Sequence, residues 1–237
     1  MTIRKLPIPF EDPLRRSQRV LGWIYLLVHV FVLPELLDLY DYFSPDKLSI
    51  TATQLIYYGV GLVFCLTVMY SFLRGGFDVL ADRLPMCLMA MVLGFLIDYA
   101  LSAAMSLVLA LLPELAENPN NEAILDTNAV EGGVRAVVIF LVPIVEEVLF
   151  RGVVFGTLRR RSRLLAYAGS AVLFGLYHIW RYALIEPAYF LYALEYVPVS
   201  VALAWIYERC GSIWPGIFFH MGINAMSFYV LNLMQNL

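Results

Sequence analysis

The chain has 237 residues, of which 61% are hydrophobic and only 15% charged, with a mean hydropathy of +0.76. That is far more apolar than the roughly 45–50% of a soluble globular domain, so the composition excludes a soluble enzyme and points to an all-α, polytopic membrane bundle. The formal net charge of -3 says little, because the distribution of charge along the chain carries the information, and no nucleic-acid partner is expected; Cys65, Cys87 and Cys210 lack the CxxC spacing of a zinc or redox site and read as small apolar residues.

Apolar runs bounded by charge and turn residues predict about seven spans, at 20–38, 54–73, 86–112, 135–157, 164–180, 188–207 and 212–235. They form one integral membrane domain with no room for a soluble one. The first span follows a basic leader without a small-residue cleavage site and reads as a retained helix. Twelve of the sixteen Lys and Arg residues fall on the segments that are cytoplasmic if the N-terminus is, among them Arg15, Arg16, Arg19, Arg74, Arg83 and the run Arg159, Arg160, Arg161 and Arg163. The loop 113–134 holds Glu114, Glu117, Glu122, Asp126 and Glu131, with no Lys or Arg before Arg135 at its boundary with the fourth span. The positive-inside rule therefore predicts a cytoplasmic N-terminus, with the C-terminus on the opposite side.

The first three spans carry only His29 and Asp98 as conspicuous deep ionisable groups. Residues 1–134 are accordingly read as scaffold and lipid-facing wall, with His29 a satisfied core histidine, and residues 135–237 as the catalytic part. Asp98 could line a cavity or sit near an interface, and Glu195 has no evident place.

The fourth span holds Glu146, Glu147 and Arg151 within an otherwise apolar run. Ionisable groups at bilayer depth are rare and mark function by default. A four-residue step places Glu147 and Arg151 on one helix face as an ion pair. Glu146 is rotated away from that pair, and its partner has to come from another helix or from water. Gly152 and Gly156 form a GxxxG step beside the glutamates, and Gly169 and Gly175 lie on the fifth span, small residues compatible with close helix approach.

Two further histidines lie in later spans, His178 in the fifth and His220 in the seventh, with Asn224 one turn beyond His220. At about 1.5 Å per residue, Glu146 and His178 lie roughly 20 Å from the basic ends of their helices and His220 roughly 12–14 Å. Those depths allow them to meet in one polar cavity. A glutamate can take a proton from water, an imidazole can hold that water or a metal, and an amide N–H with an imidazole can donate to an oxyanion. The same set, Glu146, His178 and His220, could hold Zn²⁺ with an open fourth position. No serine or cysteine nucleophile stands in a recognisable frame, so hydrolysis of an amide by activated water fits either scheme. Non-enzymatic alternatives are a proton-coupled carrier, disfavoured by the absence of internal repeats, and an immunity factor that binds a peptide without cutting it.

The order Glu146-Glu147-x-x-x-Arg151, Phe174-x-x-x-His178 and His220-x-x-x-Asn224 on successive hydrophobic segments resembles the CPBP family of intramembrane proteases, which includes the type II CAAX prenyl endopeptidases and bacteriocin-linked relatives. The resemblance covers about residues 143–224. It implies that Glu146 activates water with help from His178, that His220 and Asn224 stabilise the oxyanion, and that Glu147, Arg151 and Phe174 are supporting positions. It further implies a membrane-associated or prenylated peptide substrate. The family is named for metalloproteases, and a metal-free glutamate mechanism has also been argued for it; the cofactor is thus either none or Zn²⁺.

Overall fold

The computed structural model describes residues 10–111, 118 and 132–235. The acidic positions Glu114, Glu117, Glu122, Asp126 and Glu131 and the basic Arg4 and Lys5 lie outside the described residues. Eight helices and no strand are present among the described residues: α1 (Arg16–Phe43), α2 (Ile50–Thr67), α3 (Tyr70–Asp82), α4 (Leu84–Leu109), α5 (132–159), α6 (Arg163–Ile185), α7 (Pro187–Cys210) and α8 (Trp214–Gln235). The fold is all-α, and α1, α2, α4 and α7 are long and apolar enough to cross a membrane. Large apolar side chains such as Leu27, Val63, Leu66, Val92 and Leu96 are exposed on these helices, as a lipid-facing wall requires.

α3 corrects the expected second span, which ran to 73. The helix breaks after Thr67, and Gln18 from α1 satisfies the break by donating through Nε2 to the Val68 carbonyl and to Ser71 Oγ, both at 3.0 Å. α3 is amphipathic: it buries Phe72, Leu73 and Leu80 and carries Arg74, Asp78 and Asp82 elsewhere. A hydropathy reading of whole spans cannot see such a helix, because its apolar stripe is averaged with its charged face.

The centre of the bundle is α5, in which every residue from Val145 to Gly156 is buried. It is not a regular α-helix. A π-helical stretch covers Val137–Leu141 and a longer one Glu147–Phe155. π-bulges in natural proteins concentrate at functional sites, and this one contains Glu147 and Arg151. A third π-helical stretch covers Val28–Val32 of α1. Both short stretches precede a proline by one residue, Pro34 and Pro143. In each, the N–H just before the proline reaches back five residues, from Leu33 to Val28 and from Val142 to Val137. The next carbonyl in register, that of His29 or Val138, is left without a donor because proline has no N–H. Side chains from other helices supply it: Tyr57 donates its hydroxyl to the His29 carbonyl at 2.9 Å, and Asn224 donates Nδ2 to the Val138 carbonyl at 2.9 Å.

The end of the bundle that carries the arginine run is fastened by Glu208 of α7, which accepts from Arg159 at 2.6 Å and Tyr167 at 2.8 Å and pairs with Arg163 at 2.9 Å. Gly211, at φ 68°, makes the left-handed turn from α7 into α8. Trp214 Nε1 then donates to the Leu73 carbonyl at 2.7 Å and ties α8 to α3. The three cysteines are buried and free, as expected of small apolar residues.

At Gly175 of α6, a Cβ would stand 2.5 Å from the Ala193 carbonyl oxygen of α7. Gly175→Ala is therefore expected to cost about 1–3 kcal/mol through overpacking. Gly59→Ala, with nothing within 4 Å of the added carbon, is expected to leave the melting temperature in detergent unchanged or slightly raised. Equal melting temperatures for the two variants would contradict this packing.

Candidate active site

Glu147 and Arg151 of α5 form the buried ion pair expected from their spacing, with Arg151 Nη1 donating to Glu147 Oε1 at 3.0 Å and both side chains wholly buried. The guanidinium carbon also lies 4.2 Å from the centroid of the Phe174 ring, a cation–π contact that is strengthened by exclusion of water. Phe174 thus has a stated task in the motif. The same Glu147 oxygen accepts from His220 Nδ1 of α8 at 3.0 Å. A carboxylate can only accept, so His220 carries a proton on Nδ1, and Nε2 is the nitrogen turned toward Glu146. There is no space beside Glu147 for a larger neighbour: a Cβ on Gly216 would sit 3.3 Å from Glu147 Oε2.

His178 of α6 has the same tautomer for a parallel reason. Its Nδ1–H donates to the Phe174 carbonyl at 2.8 Å, and its ring stacks on Tyr196 with centroids 4.2 Å apart. Both imidazoles therefore turn Nε2 toward Glu146. His178 Nε2 stands 4.0 Å from Glu146 Oε1, and His220 Nε2 stands 3.8 Å from Glu146 Oε2. Glu146 is 1% exposed, and its Oε2 has no protein hydrogen-bond partner among the described residues. Buried acceptors are nearly always satisfied; Glu147 Oε2 is unpartnered as well, but of the two glutamates it is Glu146 that lines a cavity from which a donor can come.

These groups line one cavity of about 740 Å³. Glu146, His178, His220 and Asn224 all face it, with Phe174 at its floor. Asn224 has one amide N–H committed to the Val138 carbonyl, which leaves its second N–H and its oxygen for a ligand. The open placement of Asp98 is resolved, since it lines the same cavity, as does Glu195. Glu195 accepts from Asn118 Nδ2 at 2.7 Å.

Composition and spacing gave no sign of the tyrosines behind the site. Tyr58 of α2 places its hydroxyl 3.4 Å from Glu146 Oε1 and 3.0 Å from the hydroxyl of Tyr177. Tyr177 in turn lies 3.4 Å from Nε2 of His29, whose ring stacks on Tyr57. His29 is a wholly buried core residue as expected, and it also ends a polar chain that begins at Glu146. Nothing distinguishes Tyr58 among fifteen tyrosines in the sequence; its role comes from the packing of α2 on α5.

Glu146, His178 and His220 do not stand at zinc-binding separations. Tetrahedral zinc bonds of about 2.0–2.1 Å require donors roughly 3.4 Å apart, and the observed separations of 3.8 and 4.0 Å are wider. Among the described residues, no group of three His, Cys, Asp or Glu side chains is arranged to hold a metal ion.

Residues 133–226 match the model of the Rce1-like family, described as type II CAAX prenyl endopeptidase Rce1-like. The match lies wholly in the second half of the chain and covers less than half of its residues. The matched segment contains every one of the motif residues, from Glu146 to Asn224, and the resemblance read from their spacing is supported. The chain is also 31% identical over 117 residues to a Bacillus subtilis (strain 168) protein named "Putative membrane peptidase YdiL". That match covers 46% of this chain and 41% of the other, so the chain spans less than half the length of the curated relative it matches. No solved structure matches the chain.

Arg151→Met removes the cation while leaving Glu147 buried and ionised. It is expected to destabilise the fold by about 3–5 kcal/mol, seen as a large drop in melting temperature in detergent. Arg151→Met combined with Glu147→Gln removes both charges and is expected to recover part of that loss. A double variant no more stable than the single one would contradict the buried ion pair.

Proposed function

We propose that this protein is an intramembrane endopeptidase that hydrolyses a peptide bond with water activated by Glu146. The observation that carries the reading is the convergence of two histidine lone pairs on an under-satisfied buried carboxylate, inside a cavity of a membrane-embedded bundle. Two acceptors 4.0 Å apart can share one water at about 2.8 Å from each. Such a water donates one hydrogen to Glu146 Oε1 and the other to His178 Nε2, which leaves its own lone pair for the substrate carbonyl.

As the water attacks, its proton passes to Glu146, the general base. Glu146 then passes that proton to Nε2 of His220, 3.8 Å from Glu146 Oε2, and is itself returned to the carboxylate. The imidazolium form of His220 is stabilised by Glu147 on Nδ1, in the way a buried carboxylate supports the histidine of a catalytic triad. Protonated there, His220 donates to the developing oxyanion together with the remaining N–H of Asn224, and then to the departing amine. Tyr58 holds Glu146 from the far side. Arg151 acts on the reaction through Glu147.

The substrate is a membrane-associated or lipidated peptide, since the cavity is enclosed by helices whose outer faces are apolar. The protein has its N-terminus in the cytoplasm, with the arginine-rich ends of the helices on that side.

Peptidase activity of the purified protein on a detergent-solubilised membrane peptide tests the assignment. Glu146→Gln keeps the shape of the side chain and is expected to lower kcat by about 10²–10⁴-fold, and His220→Ala by a similar factor. Activity is expected to survive exhaustive chelation. Full activity in Glu146→Gln would refute the base assignment, and activity lost to a chelator and restored by Zn²⁺ would refute the water-only route.

A further inference from the structure

The Glu146 carboxylate has to keep one rotation if Oε1 is to face His178 while Oε2 faces His220. The terminal torsion of a glutamate is soft and has no sharp staggered minimum. Among the described residues, the contact from Tyr58 to Oε1, at 3.4 Å, is the one protein hydrogen bond that this carboxylate makes. What holds Tyr58 therefore also holds the base.

Behind Tyr58 the polar contacts continue in a single line. Its hydroxyl lies 3.0 Å from that of Tyr177 on α6, which lies 3.4 Å from Nε2 of His29 on α1. Nδ1 of His29 in turn lies 3.5 Å from the hydroxyl of Tyr25. The His29 ring is fixed by stacking on Tyr57, with centroids 4.2 Å apart. Tyr57 commits its own proton to the His29 carbonyl at 2.9 Å, which leaves its oxygen, 3.5 Å from Tyr177, as an acceptor at the longer distance.

Each hydroxyl carries one proton, and this settles the direction of every bond once Glu146 is ionised, as a general base is before it acts. A carboxylate only accepts, so Tyr58 gives its proton to Glu146. Tyr58 then offers lone pairs alone to Tyr177, and Tyr177 donates to it. The Tyr177 oxygen is left as an acceptor, so His29 carries its proton on Nε2 and accepts from Tyr25 on Nδ1. His29 thus has its proton on the opposite nitrogen from His178 and His220, each of which donates through Nδ1.

We infer that Tyr25, His29, Tyr177 and Tyr58 form a polarised donor chain that ends on Glu146, in which Tyr177 and His29 are positioning residues for the base. Hydrogen bonds that point the same way strengthen one another in a medium of low dielectric, so the grip of Tyr58 on Glu146 depends on the donors behind it. Tyr58 lines the cavity and can meet a substrate, whereas Tyr177, His29 and Tyr25 are not among its lining residues and act on the reaction through Glu146. The first half of the chain, which supplies α1 and α2, thereby takes part in setting the site. The direction of the chain rests on an ionised Glu146, and its catalytic consequence on the peptidase reading.

The protein has three histidines, so the full chain labelled isotopically at histidine gives three imidazoles by nitrogen NMR in detergent, and His29→Gln identifies one by its loss. His29 is expected to be protonated on Nε2; protonation on Nδ1 would overturn the direction of the chain. This reading is taken on the unsubstituted protein and holds whether or not it cleaves a peptide. In the peptidase assay, Tyr58→Phe is expected to lower kcat about tenfold and Tyr177→Phe about threefold, the latter with KM unchanged. Because Tyr177 acts through Tyr58, the double variant is expected to be no slower than Tyr58→Phe alone. Losses that multiply in the double variant, as independent packing defects do, would overturn the relay, and so would an unchanged kcat in Tyr177→Phe. The peptidase reading itself is decided separately, by Glu146→Gln.

Discussion

A single carboxylate oxygen, Glu147 Oε1, holds this molecule's polar interior together. It accepts from Arg151 on its own helix and from His220 on α8, each at 3.0 Å. A buried guanidinium without that carboxylate would carry an uncompensated charge in a medium of low dielectric. An imidazole without it would have no fixed tautomer. The same contact therefore neutralises the buried Arg151 guanidinium and turns His220 Nε2 toward the cavity. Stability of the bundle and competence of the site depend on one atom, which accounts for two adjacent glutamates with unlike partners.

The backbone is adapted to the same end. In α1 and α5 a π-turn followed by proline frees one carbonyl, and each is taken by a side chain from a helix distant in sequence. The helix is thereby crosslinked to a neighbour at the depth of the site. Helix association in a membrane gains little from apolar burial alone, because lipid is as apolar as leucine; hydrogen bonds of this kind fix rotation as well as proximity. Asn224 illustrates the double use. One amide hydrogen secures α8 to α5, and what remains of the amide faces the cavity.

Much of the candidate site was legible in the chain because polar residues set into lipid stand out against it. Glu146, Glu147, Arg151, His178, His220 and Asn224 are conspicuous by polarity, and their four-residue steps place partners on one face. Tyr58, Tyr177 and Tyr57 were not legible, since tyrosine is as ordinary in an apolar helix as phenylalanine and its hydroxyl gains a function only from what it meets. α3 was hidden for a related reason: a short amphipathic helix has the mean hydropathy of a loop.

The sequence by itself determined that the chain is an all-helical membrane protein, and which polar side chains are set into it, because each departure from apolar composition at depth has to be compensated. It also determined the Glu147–Arg151 pair, a contact within one helix. Only the tertiary structure decided which nitrogen of each histidine faces Glu146, that Tyr58 stands behind it, and that Asp98 and Glu195 line the same cavity. Those are properties of contacts between helices, and helix rotation and depth are set by packing at Gly175, Gly216 and the freed carbonyls, which no periodicity along the chain encodes.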